Sequence, residues 1–254
     1  MVTSAKSKPK RITISAKGLH FKQLNQLIRQ AVNKGCTTLR IADVNGQRYI
    51  GTGLQGNTKI TVNGTAGADL GAFMDGCSIE VNGNAQDAVG NTMNDGSIII
   101  HGHASDVCGI AARAGRIFIK SDVGYRAGIH MKEFKDQKPV LIVGGRAYDF
   151  LGEYMAGGIL AVLNLNSKKK FLPSSYIGTG MHGGVIYIRG KVDEKQLGAE
   201  VSPLKLDKND EEKLFGHLKD FAKVFGYDFN KIISEEFVKL LPLSHRPYGR
   251  LYAY

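Results

Sequence analysis

From Ile60 onward, aliphatic residues alternate with polar ones in short bursts, and the bursts recur every 19 residues. Ile60/Val62, Ile79/Val81, Ile98/Ile100 and Ile117/Ile119 occupy positions zero and two of successive units, joined after an insertion by Leu141/Val143 and after another by Ile186/Ile188. Thr61, Asn63, Glu80, Asn82, His101 and Lys120 fall between or just after them and are expected to face solvent. Alternation of this kind predicts a half-buried strand in each unit. Small apolar residues hold position six (Ala66, Ala85, Ala104, Val123, Ala147, Val192), and apolar residues hold position ten (Leu70, Val89, Cys108, Ala127, Leu151, Ile177). Glycine or serine stands at position four, where a corner needs positive φ or close backbone approach.

Two further positions carry the register. Gly71, Gly90, Gly109, Gly128, Gly152 and Gly178 all stand at position eleven. Met74, Met93, Met131, Met155 and Met181 stand at position fourteen, where the third unit has Ala112, and these are all the methionines except Met1. A unit this thin cannot bury its own inner face, so units stack into parallel sheets about 4.8 Å apart with equivalent residues in ladders. The predicted fold is mainly β: a right-handed parallel β-helix of about seven turns over 54–193, a rod on the order of 30 Å long. The methionine ladder is expected to fill its interior, since a flexible thioether suits irregular gaps. A soft-metal thioether site would be local, whereas this ladder runs the whole stack.

The flanks have other periods. Residues 11–16 and 37–42 read as strands and 20–34 as an amphipathic helix ending at Gly35, a β-α-β cap over 11–53 for the open first turn. Val44-Asn45-Gly46-Gln47 carries a type I′ hairpin signal. Residues 209–225 and 229–241 read as two helices of a C-terminal extension spanning 194–254. Residues 1–10 read as a disordered basic tail.

Composition narrows the function classes. The formal charge is +11. The cations nevertheless scatter among the N-terminal tail, Lys168, Lys169 and Lys170 of the 167–173 insertion, and the C-terminal third. No aromatic-interleaved basic strand of RNA-binding type is present, so the charge reads as solvated lysines plus a surface for an acidic partner, not nucleic acid. Three scattered cysteines (Cys36, Cys77, Cys108) do not make a disulfide framework and favour a reducing cytoplasm. No apolar run is long enough for a membrane span, and the N-terminus does not read as a secretory signal.

Three constellations imitate active chemistry. Gly51-Thr52-Gly53-Leu54-Gln55-Gly56 matches a dinucleotide fingerprint but precedes a strand instead of a helix, and Gly178-Thr179-Gly180-Met181-His182-Gly183 repeats it, so both read as corners. His101, His103 and Cys108 resemble a partial zinc set but belong to ladders on opposite sides of the wall. Asp87, Asp106 and Asp149 share position eight; they read as turn caps, with an acid–base pair acting on a polysaccharide as the alternative. No nucleophile elbow of the Gly-x-Ser-x-Gly type occurs. Neither catalytic, cofactor nor metal residues are therefore assigned.

The repeated glycines, clearest in Gly152-Glu153-Tyr154-Met155-Ala156-Gly157-Gly158 and Gly178–Gly184, resemble the GXGXG domain over roughly 45–193. That β-helix is the C-terminal domain of the large glutamate synthase subunit and also makes up a separate subunit of formylmethanofuran dehydrogenase. Asn45–Gly51 and His245-Arg246-Pro247-Tyr248 resemble the free-standing version of split, archaeal-type glutamate synthases. The resemblance implies a non-catalytic scaffold within an oxidoreductase complex, packed between a glutamine amidotransferase subunit and a synthase subunit that carries FMN and an iron–sulfur cluster. It implies no cofactor in this chain, which begins Met1-Val2 without a nucleophilic cysteine, and it leaves homo-oligomerisation open. Arg48, Tyr49, His245, Arg246 and Tyr248 are the candidate partner contacts. The equivalent scaffold of formylmethanofuran dehydrogenase or another oxidoreductase is the second reading, and a stand-alone β-helix hydrolase or lyase the third.

Overall fold

A computed structural model of the protein describes residues 10–166 and 173–244. Strand β1 (Lys10–Ser15), helix α1 (Phe21–Asn33) and strand β2 (Cys36–Asn45) form a β-α-β unit with parallel strands. His20 caps α1: its ring accepts from the Lys22 amide, while the Gln23 side chain accepts from the His20 amide. Leu24, Ile28 and Ala31, spaced as one helical face, are buried against the sheet.

Seven strands follow: β3 (Lys59–Thr65), β4 (Ser78–Asn82), β5 (Ser97–Ile100), β6 (Arg116–Ile119), β7 (Val140–Val143), β8 (Ala156–Val162) and β9 (Gly183–Arg189). Each pairs in parallel with the one before it. The pairing register is the sequence repeat itself: Ile60 lies opposite Ile79, Ile79 opposite Ile98, Ile98 opposite Ile117, and so on through Leu141 and Leu160 to Ile186. The result is a parallel β-solenoid of about six turns. The 132–140 insertion does not disturb the stack, because Ile117 still meets Leu141.

Backbone amides stitch the wall opposite the strands in both directions along the axis. The amide at position eleven donates to the coil before it (Gly90 to Leu70 and Gly128 to Cys108, both 2.8 Å). Amides at positions nine and thirteen donate to the coil after (Ala88 to Asp106, 2.9 Å; Thr92 to Ile110, 2.8 Å). All three positions have positive φ, including non-glycine residues such as Ala88 (60°) and Ala111 (51°). A left-handed backbone therefore does not by itself demand glycine here; each non-glycine residue simply carries some strain. Direction is what matters at position eleven. A β-carbon on Gly90 would point inward and lie 2.4 Å from Ile117 Cδ1, and one on Gly152 would lie 2.5 Å from Ile186 Cδ1.

Inside, the residues at positions zero, two, six, ten and fourteen form one continuous core. Met74, Met93, Met131, Met155 and Met181 have no exposed surface, and each contributes roughly 1.5–3 kcal/mol of burial.

Two local expectations are corrected. Asn45-Gly46 is not a hairpin: β2 continues to Asn45, which pairs in parallel with Thr65, and only Gly46 of the two has positive φ, whereas a type I′ turn needs both. Residues 229–241 are not one helix. They divide into a short α3 (Phe229–Ile233) and a strand β11 (Phe237–Pro242). Strand β11 runs antiparallel to the last solenoid strand and is flanked by β10 (Val201–Lys205). The free edge of β9 offers a row of unpaired amides and carbonyls, and satisfying them outweighs the helical spacing of Ile232, Ile233, Phe237 and Leu240.

Helix α2 (Lys208–Phe225) lies across the outside of the strand wall. Its buried Leu214, Leu218, Phe221 and Ala222 meet Phe118, Ile142, Ala161 and Tyr187, the position-one residues of the later coils. Position one is polar only at the start of the stack, with Thr61 and Glu80. Those two stay uncovered, Thr61 half-buried and Glu80 exposed.

Candidate functional site

Each constellation named from the sequence has a definite place. The two Gly-x-Gly stretches run into β3 and β9, with Gly51, Gly53, Gly178 and Gly180 at φ between 64° and 76°. No helix starts at either to receive a pyrophosphate. Cys108 is 1% exposed in the inner core, and burial pushes its thiol up to about 12. His101 lies on the outer wall, with Nε2 2.8 Å from Glu80 and its ring edge against Phe225. Opposite sides of the wall thus separate the histidine from the thiol, and no group of three or more metal-ligating side chains gathers among the described residues.

The aspartates at position eight act on the next coil. Asp87 accepts from the Asp106 amide (3.2 Å), Asp106 from Tyr125 (2.9 Å) and Asp149 from Ser175 (2.8 Å). Asp122 does the same for Arg146 and also binds its guanidinium, so Asp-to-next-coil capping is a working part of the stack. Close approach of these carboxylates also explains nearby glycines. A β-carbon on Gly124 would stand 2.0 Å from Asp106 Oδ1, and one on Gly145 would stand 2.1 Å from Asp122 Oδ1.

Arg48 and Tyr49 meet α1. The Arg48 guanidinium lies 5.0 Å from the Tyr49 ring centroid, the Phe21 ring packs edge-on at 5.5 Å, and Asn25 donates to the Arg48 carbonyl. Beside them an open groove of about 470 Å³ runs along α1, lined by Phe21, Lys22, Arg29, Tyr49 and Thr52 among others. His245, Arg246 and Tyr248 lie outside the described residues, as do the 1–9 segment and most of the 167–173 insertion.

Two features were not among the sites expected from the sequence. The first is a buried ion network under the N-terminus of α2. Tyr187 donates to Asp210 (2.7 Å), and the Lys239 ammonium pairs with Asp210 and, at 3.2 Å, with Asp207. Burial pushes the Asp210 carboxyl up, but donation from the Asp207 amide, Lys239 and Tyr187 outweighs it and holds the group below the usual carboxylate range. The hydrogen bond to Asp210 holds Lys239 above its ordinary value against the effect of burial. Burial first, and then the neighbouring Asp210, push the Tyr187 phenol up. All three groups are thus locked in their ordinary protonation states, which suits a rivet joining α2, β9 and β11 better than proton transfer near neutral pH.

The second is an aromatic strip on the wall of positions nine and thirteen. Arg126 sits 4.5 Å from the Phe150 centroid, and Phe150 stacks on Tyr176 at 5.0 Å with planes 9° apart. His130 stacks on Tyr154 at 5.4 Å, and beside the strip Tyr125 and Tyr148, at positions eight and seven, pack at 5.7 Å. Its signal in the sequence is the same 19-residue register, at positions that face outward.

Stacked coils, inward glycines and a filled interior define the module as a parallel β-solenoid. The model of the family described as GXGXG motif matches residues 21–243, and the chain belongs to that family, whose domain is found in glutamate synthase. It is also similar to the uncharacterized protein MJ1350 of Methanocaldococcus jannaschii, with 46% identity over 250 residues, 95% of this chain and 96% of the relative.

Proposed function

We propose that the protein is a non-catalytic scaffold subunit of a glutamate synthase, packed between a glutamine amidotransferase subunit and a synthase subunit carrying FMN and an iron–sulfur cluster. The observation that carries this reading is the family match over 21–243, which takes in α1 and β2 of the cap, the solenoid and the C-terminal elements together. The relative from Methanocaldococcus jannaschii supports it, because 96% of that protein is spanned by the alignment and little of it is left for an attached amidotransferase or synthase domain. The polar side chains reinforce the reading: those that resemble catalytic groups are engaged in capping the next coil or in the rivet under α2.

The test is purification of the tagged chain from its native source at physiological salt. Recovery of an amidotransferase and a flavin–iron–sulfur subunit in one complex, with glutamine-dependent glutamate formation that falls when the chain is left out, is the expected result. A chain that elutes alone would end the proposal. Recovery with molybdenum or tungsten subunits would replace it with the formylmethanofuran dehydrogenase reading.

A further inference from the structure

The sheet that runs the length of the solenoid has two ends, and they are finished differently. Its last strand, β10, pairs with β11 alone. The Leu243 amide donates to the Glu200 carbonyl at 2.8 Å. Alternation from that pair turns Ser202 and Leu204 toward β11, and Val201, Pro203 and Lys205 to the open side. A proline with no N–H to offer thus stands at the middle of this edge, which stops further pairing. The first strand, β1, pairs with β2 alone and contains no proline.

The outward backbone groups of β1 follow from its ladder. The Ala16 amide donates to the Ala42 carbonyl at 2.8 Å, so Ile12, Ile14 and Ala16 are the residues that bond to β2. Arg11, Thr13 and Ser15 turn their amides and carbonyls the other way, where no strand lies among the described residues. Helix α1 lies over β2 and leaves this edge open. Apolar surface is uncovered at the same end: Ile12 is 39% exposed and Leu27 is 41%. Leu27 occupies the flank of α1 opposite Asn25 and Arg29, which bind the carbonyls of Arg48 and Thr52 in the first coil.

One register of β1 against a second β1 satisfies all of these groups. With Thr13 opposite Thr13 in an antiparallel pair, the three outward residues of each copy face one another and form about six backbone hydrogen bonds. Arg11 of one copy then stands opposite Ser15 of its partner, whose hydroxyl donates to the Asp43 carboxylate at 2.7 Å. The guanidinium meets that carboxylate once on each side of the two-fold axis. Neither Arg11 nor Asp43 forms an ion pair among the described residues of its own chain. On the other face of the strands the same register sets Ile12 opposite Ile14, apolar against apolar. Shifting by two residues moves Arg11 away from Ser15, and in one direction sets it opposite Lys17.

We propose that β1 is a self-association edge: two copies of the chain pair antiparallel through β1 about a two-fold axis at Thr13, joining two solenoids end to end in one continuous sheet. The proposal is independent of the scaffold reading, because it involves no other subunit.

Sedimentation equilibrium of the full chain over a concentration series through the micromolar range tests it. The wild-type chain forms a dimer that dissociates on dilution. Thr13→Pro removes an outward N–H without touching the β1–β2 ladder, so it abolishes the dimer and leaves the melting temperature unchanged. Arg11→Glu opposes carboxylates across the axis and Asp43→Lys opposes cations, and each alone raises the dissociation constant about tenfold or more. An equimolar mixture of these two variants pairs opposite charges at both sites and recovers the wild-type affinity, a result that misfolding of either variant could not give. A chain that stays monomeric throughout overturns the proposal. So does a dimer that Thr13→Pro leaves intact, or a mixture that associates no more tightly than its components. Dimerisation only after removal of residues 1–9 would assign the edge to the chain's own N-terminal segment and overturn it as well.

Discussion

Replacing Gly90 with alanine separates two reasons for a glycine that are usually confounded. Its φ is +68°, and an added β-carbon would stand 2.4 Å from Ile117 Cδ1, 3.4 Å from Ile117 Cγ1 and 3.5 Å from Ile98 Cδ1. A left-handed alanine costs roughly 1–2 kcal/mol, and forcing a methyl into a filled core costs about 1–3 kcal/mol more. Gly90→Ala is therefore expected to destabilise by about 2–5 kcal/mol. Gly53 provides the control: its φ is +64°, but nothing lies within 4 Å of its β-carbon, so Gly53→Ala should cost only the backbone share, about 1–2 kcal/mol. Ile117→Val removes the obstructing Cδ1 and alone costs about 0.5–1.5 kcal/mol. If the clash is real, the Gly90→Ala/Ile117→Val protein loses less stability than the two single variants added together, by about 1–3 kcal/mol. The measurement is urea unfolding followed by far-ultraviolet circular dichroism, with the slope checked for constancy across the set. Equal costs for Gly90→Ala and Gly53→Ala, or strict additivity with Ile117→Val, would refute the assignment of position eleven to inward packing.

The rivet under α2 gives a prediction with a pH signature. Lys239→Met leaves the Asp210 carboxylate buried without its cation and should cost about 3–5 kcal/mol near neutral pH. Asp210 is held below its usual range, so its share is complete above the unfolded value of about 3.9 and disappears as pH falls through the lower folded value. Lys239 is held above its ordinary value, so its share is complete below about 10.4 and is lost as pH rises through the higher folded value. The stability difference between wild type and variant should therefore be flat across the intervening range and narrow at both ends. A difference that does not vary with pH would show that packing, not charge, holds the network. At position eight, Asp106→Ala removes the acceptor of the exposed Tyr125 amide and should cost on the order of 0.5–1.5 kcal/mol, whereas Asp106→Asn keeps an acceptor oxygen and should cost little. Turnover of any polysaccharide by the purified chain that Asp106→Asn abolishes would contradict the capping role.

The places where sequence reasoning failed share a physical cause. Phe237–Pro242 has helical spacing, yet it pairs with β9, because the last coil of a solenoid exposes an edge that some segment must satisfy. Asn45-Gly46 has hairpin composition, yet it serves as the first corner, because the following strand already has a parallel partner in β2. Tyr187, Asp210 and Lys239 are far apart in the chain and carry no spacing signal, so their network becomes visible only once α2 lies on the sheet.

The inward positions are legible in the sequence because each coil rests on a near copy of itself. Glycine at eleven, methionine at fourteen and the aliphatic pair at zero and two answer to neighbours of the same kind 19 residues away, so the period alone carried the stack. The outward positions stack on the next coil as well, but what covers them lies outside the repeat. Whether Phe118 and Tyr187 are buried, and whether Phe150 and Tyr176 are left open, depends on where α2 and the edge strands come to rest. That is settled by contacts between parts of the chain that share no repeat.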